Sequence, residues 1–312
     1  MADPIRIGLL CAGEIGYRCL QAAIESPAAK VVLVFSYRVE APQSEYLERI
    51  SELCRHHEIP FHESSNVGSQ QFDELWSTLD LDYLFAIKWR TMIPENVIAV
   101  ARHGSIIFHA SLLPKYRGWA PVNWPLINGE SRTGVTMFYA AHEVDSGDII
   151  EQRERCITEA DDAGTIDAWL NATVEEMLTQ NLPRLAEGTA PRVPQDHAQA
   201  TYTIWRSPED GRIDWRRPAR EIFNLVRGLT RPYPGAFTML DGRKLIVWSA
   251  ELETEPRRYV GVVAGKVERI IPDTGVNVLT GDGILRLKQV QFENGEPQNA
   301  AEVITRLKTR FE

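Results

Sequence analysis

Apolar and polar positions in the first half of the chain follow two alternating periods. Residues 5–13 (IRIGLLCAG), 30–37 (KVVLVFSY), 81–87 (LDYLFAI) and 104–111 (GSIIFHAS) are short, nearly continuous apolar runs. Their length and β-branched content predict strands buried on both faces. Between them, residues 16–26, 44–59 and 93–103 space their apolar side chains by three and four, which predicts amphipathic helices. Pro94 stands near the first turn of the last one. Strand and helix in alternation predict a parallel sheet with helices on both faces. Residues 134–142 (GVTMFYAAH) and 147–157 (GDIIEQRERCI) read as strands near one edge of that sheet. Residues 162–188 predict a long helix, broken near Pro183.

The periodicity stops between Glu187 and Ala200, where the chain reads EGTAPRVPQDHAQA. Two prolines and no apolar repeat predict a linker. Beyond it, one helix (218–229) precedes short strands at 244–253, 262–271, 275–281 and 283–292, separated by glycine-bearing turns. That spacing predicts a small β-barrel or sandwich. The boundaries expected from this reading are a first domain over residues 1–190, a linker over 191–204 and a second domain over 205–312.

Composition adds limits. At 312 residues with 44% hydrophobic and 25% charged residues, the chain is ordinary globular material for two domains. The net charge of −9 is uneven: residues 1–200 hold 16 basic against 28 acidic residues, and residues 201–312 hold 18 against 15. An acidic front half disfavours binding to a phosphate backbone. No run of about 18 apolar residues occurs, so no membrane span is expected. The N-terminus has no signal-peptide pattern. The cysteines Cys11, Cys19, Cys54 and Cys156 form no CxxC pair and no zinc spacing, so no metal is expected. A reduced, cytoplasmic protein follows from this reading.

Candidate chemistry is sparse until one segment. Gly13 and Gly16 after the first strand match only part of a dinucleotide fingerprint, and a tight strand–helix connection is the simpler reading. Residues 104–150 are denser. His109 ends an apolar strand, where open α/β sheets place their ligands. Asp145 stands in EVDSGDI at a turn before the next strand. A His–Asp pair can perform acid/base work, although a buried structural histidine explains the same residues. Arg117 and Gly118 read equally well as a surface loop or an anion clamp.

The segment HASLLPKYRG, followed by APVNWPLINGE, TGVT and DSGDII, resembles the 10-formyltetrahydrofolate-dependent formyltransferases. Residues 207–251, from SPEDGRIDW to LIVWSAE, are similar to the start of that family's C-terminal domain. The resemblance implies an α/β, Rossmann-like formyltransferase domain with a parallel sheet, then a small OB-like β-barrel. It implies an enzyme that moves a formyl group from 10-formyltetrahydrofolate, a co-substrate, to an amine. His109 and Asp145 match the family's histidine and aspartate. Residues 85–93, among them Phe85, Ile87, Lys88, Trp89 and Arg90, match the strand end and loop that hold the pterin. Ser111, Leu112, Leu113 and Pro114 match the loop lining the folate site. Lys115, Tyr116, Arg117, Gly118 and Trp119 are the candidates for binding the acceptor.

One position departs from the family. Where the family has asparagine in N-x-H, this chain has Ile107. Losing such an oxyanion donor typically costs about 10²–10³ in turnover. Lys88 or Trp89 could supply the missing N–H. Other readings are a different one-carbon or acyl transferase on the same fold, or a ligand-binding pseudoenzyme. The acceptor reading rests on charge and motif. Residues 36–58 hold Arg38, Arg49 and Arg55 against Glu40, Glu45, Glu48, Glu52 and Glu58, a poor surface for tRNA. KYRGWAPVNWPLINGE resembles the sugar-nucleotide branch that formylates UDP-4-amino-4-deoxy-L-arabinose more than the methionyl-tRNA branch. The expected partner is therefore a small-molecule amine, a nucleotide-linked amino sugar, with a homodimer left open. Trp119 and Trp124 are read as pocket walls or, for Trp124, core.

Overall fold

The structure, a computed structural model, describes residues 3–39 and 43–312. Glu40 of the acidic segment lies outside the described residues. The chain divides into two compact units. One comprises residues 1–118, 134–154 and 169–202; the other comprises 119–133, 155–168 and 203–312.

The first unit is built on a seven-stranded sheet. Its strands are β1 (Ile5–Cys11), β2 (Ala29–Ser36), β3 (Phe61–Glu63), β4 (Tyr83–Ile87), β5 (Ser105–His109), β7 (Arg132–Tyr139) and β8 (Ile149–Cys156), in the order β3-β2-β1-β4-β5-β7-β8. The first five are parallel to their neighbours, and β7 runs antiparallel to β5, with Ile107 opposite Phe138 and His109 opposite Thr136. A parallel sheet is covered on both faces, and β4 is accordingly buried at every residue. The helices of this half are α1 (Gly13–Glu25), α2 (Tyr46–His56), α3 (Asp73–Thr78) and α4 (Glu95–Ile98). On one face Phe35 stacks on Trp76 and meets Phe72 edge-on, with ring centroids 5.2 and 4.9 Å away. Buried rings of this kind contribute roughly 1.5–3 kcal/mol each. Leu10, Leu33, Leu84 and Val97 share this cluster, and Ile107 packs against it.

Three of the predicted helices differ from the pattern read in the sequence. α4 is one turn rather than the whole of 93–103, because Ala99 leaves the helix and the chain turns toward Gly104. The helix α1 begins at Gly13, whose φ of +65° suits glycine, so the glycine turn opens the helix directly. The long helix α6 (Ala163–Ala186) runs through Pro183 without a break. Proline forfeits one ladder bond only a turn from the helix end, while Leu178, Leu182 and Leu185 stay buried around it.

The second unit carries an antiparallel sheet of β10 (Ala236–Leu240), β11 (Arg243–Leu252), β14 (Ile284–Phe292), β13 (Gly275–Leu279) and β12 (Val267–Ile271), with β15 (Gln298–Asn299) paired to β14. Helices α5 (Asn123–Ile127), α7 (Ala219–Leu229) and α8 (Ala300–Val303) belong to it. α7 buries Ile222, Val226 and Leu229 against Leu245, Val247 and Leu287 of the sheet. Strand β10 was not read from the sequence, because AFTML is short and follows a Pro-Gly turn. Elsewhere Arg117–Gly118 (β6) pairs with Tyr202–Thr203 (β9).

Candidate active site

β5 carries Ile107 and His109 to its carboxyl end, and the period of two puts both side chains on one face. His109 is 7% exposed. Its Nε2 lies 2.7 Å from the Tyr116 carbonyl, which can only accept, so Nε2 carries the hydrogen. Nδ1 is then the nitrogen that faces Asp145, 3.5 Å from Oδ2. The same Oδ2 accepts the backbone N–H of Gly118 at 2.8 Å. Residues 36 apart in sequence thus form one polar cluster, with an imidazole nitrogen and a carboxylate placed to exchange a proton.

Asp145 has a φ of +50°, the left-handed region that non-glycine residues rarely hold. The turn after it depends on Gly147, where a Cβ would lie 1.8 Å from the Tyr139 carbonyl oxygen. EVDSGD therefore needs glycine at this position for steric reasons.

The SLLP loop is held by groups that sequence reading missed. Thr136 Oγ1 donates to the Ser111 carbonyl at 2.7 Å and accepts from the Leu113 N–H at 3.1 Å and from Gln152 Nε2 at 2.9 Å. Gln152 also donates to the Leu113 carbonyl at 2.8 Å. Ser111 Oγ donates to the Lys115 carbonyl at 2.7 Å and closes the loop on itself. Thr136 lies inside the TGVT motif, so its position was visible although its partners were not. Gln152 is one polar residue in an alternating edge strand and gave no signal.

The strand-end loop after β4 has its own geometry. Phe85 and Ile87 are buried within the sheet, and Arg90 is exposed. Lys88 has a φ of +53° and turns the chain out of the strand. Tyr37, just past the end of β2, donates its hydroxyl to the Lys88 carbonyl at 3.4 Å and accepts the Arg90 N–H at 3.2 Å. Burial pushes the Tyr37 phenol up, with the Arg90 N–H pulling the other way, so the hydroxyl keeps the proton it donates to the Lys88 carbonyl. Trp89 meets Tyr37 edge-on, centroids 5.0 Å apart. Its indole Nε1 is buried and has no hydrogen-bond partner among the described residues. An unsatisfied buried donor costs about 1–3 kcal/mol and is uncommon in folded proteins.

The KYRG turn differs from the flexible loop that its sequence suggests. Lys115 is exposed, and Tyr116 takes a φ of +60° to aim its carbonyl at His109. Arg117 is 1% exposed. Its guanidinium donates to Gln195 Oε1 from Nη2 at 2.7 Å and from Nε at 3.2 Å, and to the Tyr202 hydroxyl at 3.3 Å. His197 Nδ1 is 3.0 Å from Nη2. An open cavity of about 730 Å³ lies on this side, lined in part by Arg117, Tyr139, His142, Arg192, His197 and Tyr202. Trp119 and Trp124 belong to the second unit. There Trp119 is 42% exposed, and Arg206 stacks 4.7 Å from the Trp124 ring centroid.

Among the described residues no group of His, Cys, Asp and Glu could hold a metal ion, and no helix is long and apolar enough to cross a membrane. A family model described as "Formyl transferase" matches residues 10–182, and one described as "Formyl transferase, C-terminal domain" matches residues 206–308. Among solved structures, HypX from Aquifex aeolicus in complex with tetrahydrofolic acid is similar at a TM-score of 0.65 and 18% identity, over 96% of this chain and 47% of that one. The present chain therefore spans about half the length of HypX. WlaRD, a sugar 3N-formyl transferase solved in the presence of dTDP and 5-N-formyl-THF, matches at 0.65 and 17%, over 94% and 99% of the two chains. An N-formyltransferase from Helicobacter canadensis, in complex with folinic acid and dTDP-3-aminofucose, matches at 0.67 and 17%, over 91% and 98%. At these identities the likeness is one of fold. The match over residues 10–182, more than half of the sequence, establishes that the chain belongs to the formyl transferase family.

Proposed function

We propose that this protein transfers a formyl group from 10-formyltetrahydrofolate to the amine of a small molecule, a nucleotide-linked amino sugar. The observation that carries the reading is the approach of His109 to Asp145 at the carboxyl end of β5, beside the SLLP loop. The folate donor would supply an activated formyl carbon on nitrogen. The acceptor amine attacks that carbon and gives up a proton, and the bond to the folate nitrogen breaks as that nitrogen takes up a proton. His109 Nδ1 and the Asp145 carboxylate are the groups in place to take it, while the Tyr116 carbonyl fixes the ring through Nε2.

The residues suit a folate-like ring. The orphaned Trp89 N–H calls for an acceptor, and Tyr37 braces the backbone of the loop at 88–90. We assign Trp89 the oxyanion role that Ile107 cannot fill, in preference to Lys88, because the indole donor is already desolvated and unpaired. Phe85, Ile87, Lys88 and Arg90, with Ser111 to Pro114, are the remaining candidates for the donor site.

For the acceptor, two of the solved relatives were crystallised with dTDP or a dTDP-amino sugar. The arabinose-type branch suggested by KYRGWAPVNWPLINGE remains the finer reading. Against tRNA, Arg38 pairs with Glu48, and Arg49 stacks on Tyr17 and Tyr46, so two of the arginines in this acidic region are already engaged. The test is direct. 5-Formyltetrahydrofolate should quench tryptophan fluorescence in the wild type and much less in Trp89→Phe, and a panel of nucleotide-linked amino sugars should yield a formylated product. Folate binding with no acceptor turned over would favour a ligand-binding protein. No folate binding would favour another acyl donor.

A further inference from the structure

We propose that Gln195, in the proline-rich segment after the first unit's last helix, is a positioning residue that holds the Asp145 loop against His109. Residues 192–194 and 196–199 are all exposed, yet Gln195 between them is 5% exposed. Its burial is therefore not part of an apolar packing pattern. The amide is committed at both ends. Nε2 donates to the Asp145 carbonyl at 2.9 Å and to the Gly147 carbonyl at 2.7 Å. Oε1 accepts from Arg117 Nη2 at 2.7 Å and Nε at 3.2 Å. Both amide hydrogens and the carbonyl oxygen are thus in use.

The contacts sit at the two places where the loop most needs support. Asp145 is held in a left-handed conformation, which costs about 1–3 kcal/mol when a non-glycine residue is forced into it. Gly147 is pressed against the Tyr139 carbonyl. Arg117 orients the amide oxygen, so the two amide hydrogens point at the loop carbonyls. The next residue, Gly118, donates its N–H to Asp145 Oδ2. The loop is consequently held at its backbone by Gln195 and at its carboxylate by Gly118, and both supports are anchored on the Arg117–Gly118 turn.

An amide is required here. A carboxylate at 195 would still accept from Arg117 but would face two carbonyl oxygens without a hydrogen to give. Gln195→Glu therefore keeps the anchor and removes the support, which separates positioning from general stitching of the segment. The inference rests on reading His109 and Asp145 as the reacting pair, and the two are tested by different signals. In Gln195→Glu, kcat should fall about 10- to 100-fold with the donor KM within about twofold, the scale expected when a reacting group is misplaced by about 1 Å. Without any substrate, the imidazole ¹⁵N resonances of His109 should move in the direction seen in Asp145→Asn. Gln195→Met, which keeps the length and loses all polarity, serves if the glutamate variant folds poorly, and it should show the same pair of changes. Wild-type kcat and unmoved His109 resonances in a folded variant, even one that melts earlier, would overturn the proposal. Resonances that move in the Gln195 variants, when the wild type itself transfers no formyl group, would instead leave the positioning intact and reject the reaction.

Discussion

At the scale of single residues, the account turns on position 107. Ile107 lies on the face of β5 that carries His109 and packs against the Leu10–Phe35–Leu84 cluster. An asparagine there would bring an amide against aliphatic and aromatic neighbours. Ile107→Asn is expected to lower stability by about 1–3 kcal/mol and to leave turnover no higher than wild type. Denaturant melts and steady-state kinetics would check both. Trp89→Phe is expected to lower kcat about 10²–10³-fold, the usual effect of removing one oxyanion donor. His109 and Asp145 were legible in the sequence only through the long motif around them, since a histidine and an aspartate 36 positions apart carry no geometric signal. Thr136, Gln152 and Gln195 were not legible as a group. Each acts through backbone carbonyls or side chains supplied from 16 to 78 residues away, and no local pattern encodes such a partner.

At the scale of elements, patterning predicted well where burial is uniform and poorly where short segments turn. β1, β2, β4 and β5 are apolar on both faces, and their runs announced them. α4 shrank to one turn, and β10 was invisible because five residues after a turn carry little periodicity. The loop from Ala140 to Asp148 shows how one residue can set an element. Gly147→Ala would drive a methyl group into the Tyr139 carbonyl, so the loop must shift. A loss of about 1–3 kcal/mol is expected, with a drop in kcat at least as large as that of Gln195→Glu. Thermal melting and initial rates would report the two effects. In the second unit, Glu253 belongs to a half-buried network around the buried Asn277. Asn277 donates to Glu253 and Glu268, Arg286 donates to Asn277, and Arg286 also pairs with Glu253. Burial raises the Glu253 carboxyl, but Asn277, the Glu255 N–H and Arg286 outweigh it and hold the group below its ordinary value. A depressed carboxyl stabilises the fold above its unfolded value of about 4.3 and loses that contribution as pH falls through the folded value. Melting temperatures between pH 7 and pH 3 should therefore fall more steeply in wild type than in Glu253→Gln.

At the scale of the whole molecule, the uneven charge and the cysteine pattern have structural counterparts. Cys11, Cys19 and Cys54 are buried and Cys156 is exposed. Burial pushes the Cys54 thiol up to about 12 and raises those of Cys11 and Cys19 strongly, so little thiolate forms at neutral pH. One thiol should react quickly with a disulfide reagent at pH 8, and the other three only after unfolding. The acidic charge of residues 1–200 includes the segment whose Arg38 and Arg49 are held by Glu48 and by tyrosine rings, which argues for a small acceptor. Periodicity predicted the strand–helix alternation of the first half and the short strands of the second, whereas the Rossmann-like and OB-like identification and the chemistry rested on the motifs. The central claim is that His109, held by Tyr116 and facing Asp145, takes part in formyl transfer. Its most direct test is tetrahydrofolate release from 10-formyltetrahydrofolate in the presence of nucleotide-linked amino sugars, compared between wild type and His109→Ala. The account predicts acceptor-dependent release in the wild type and a loss of about 10²–10⁴-fold in the variant, the range for removing a general acid/base. Release that His109→Ala leaves unchanged would contradict it.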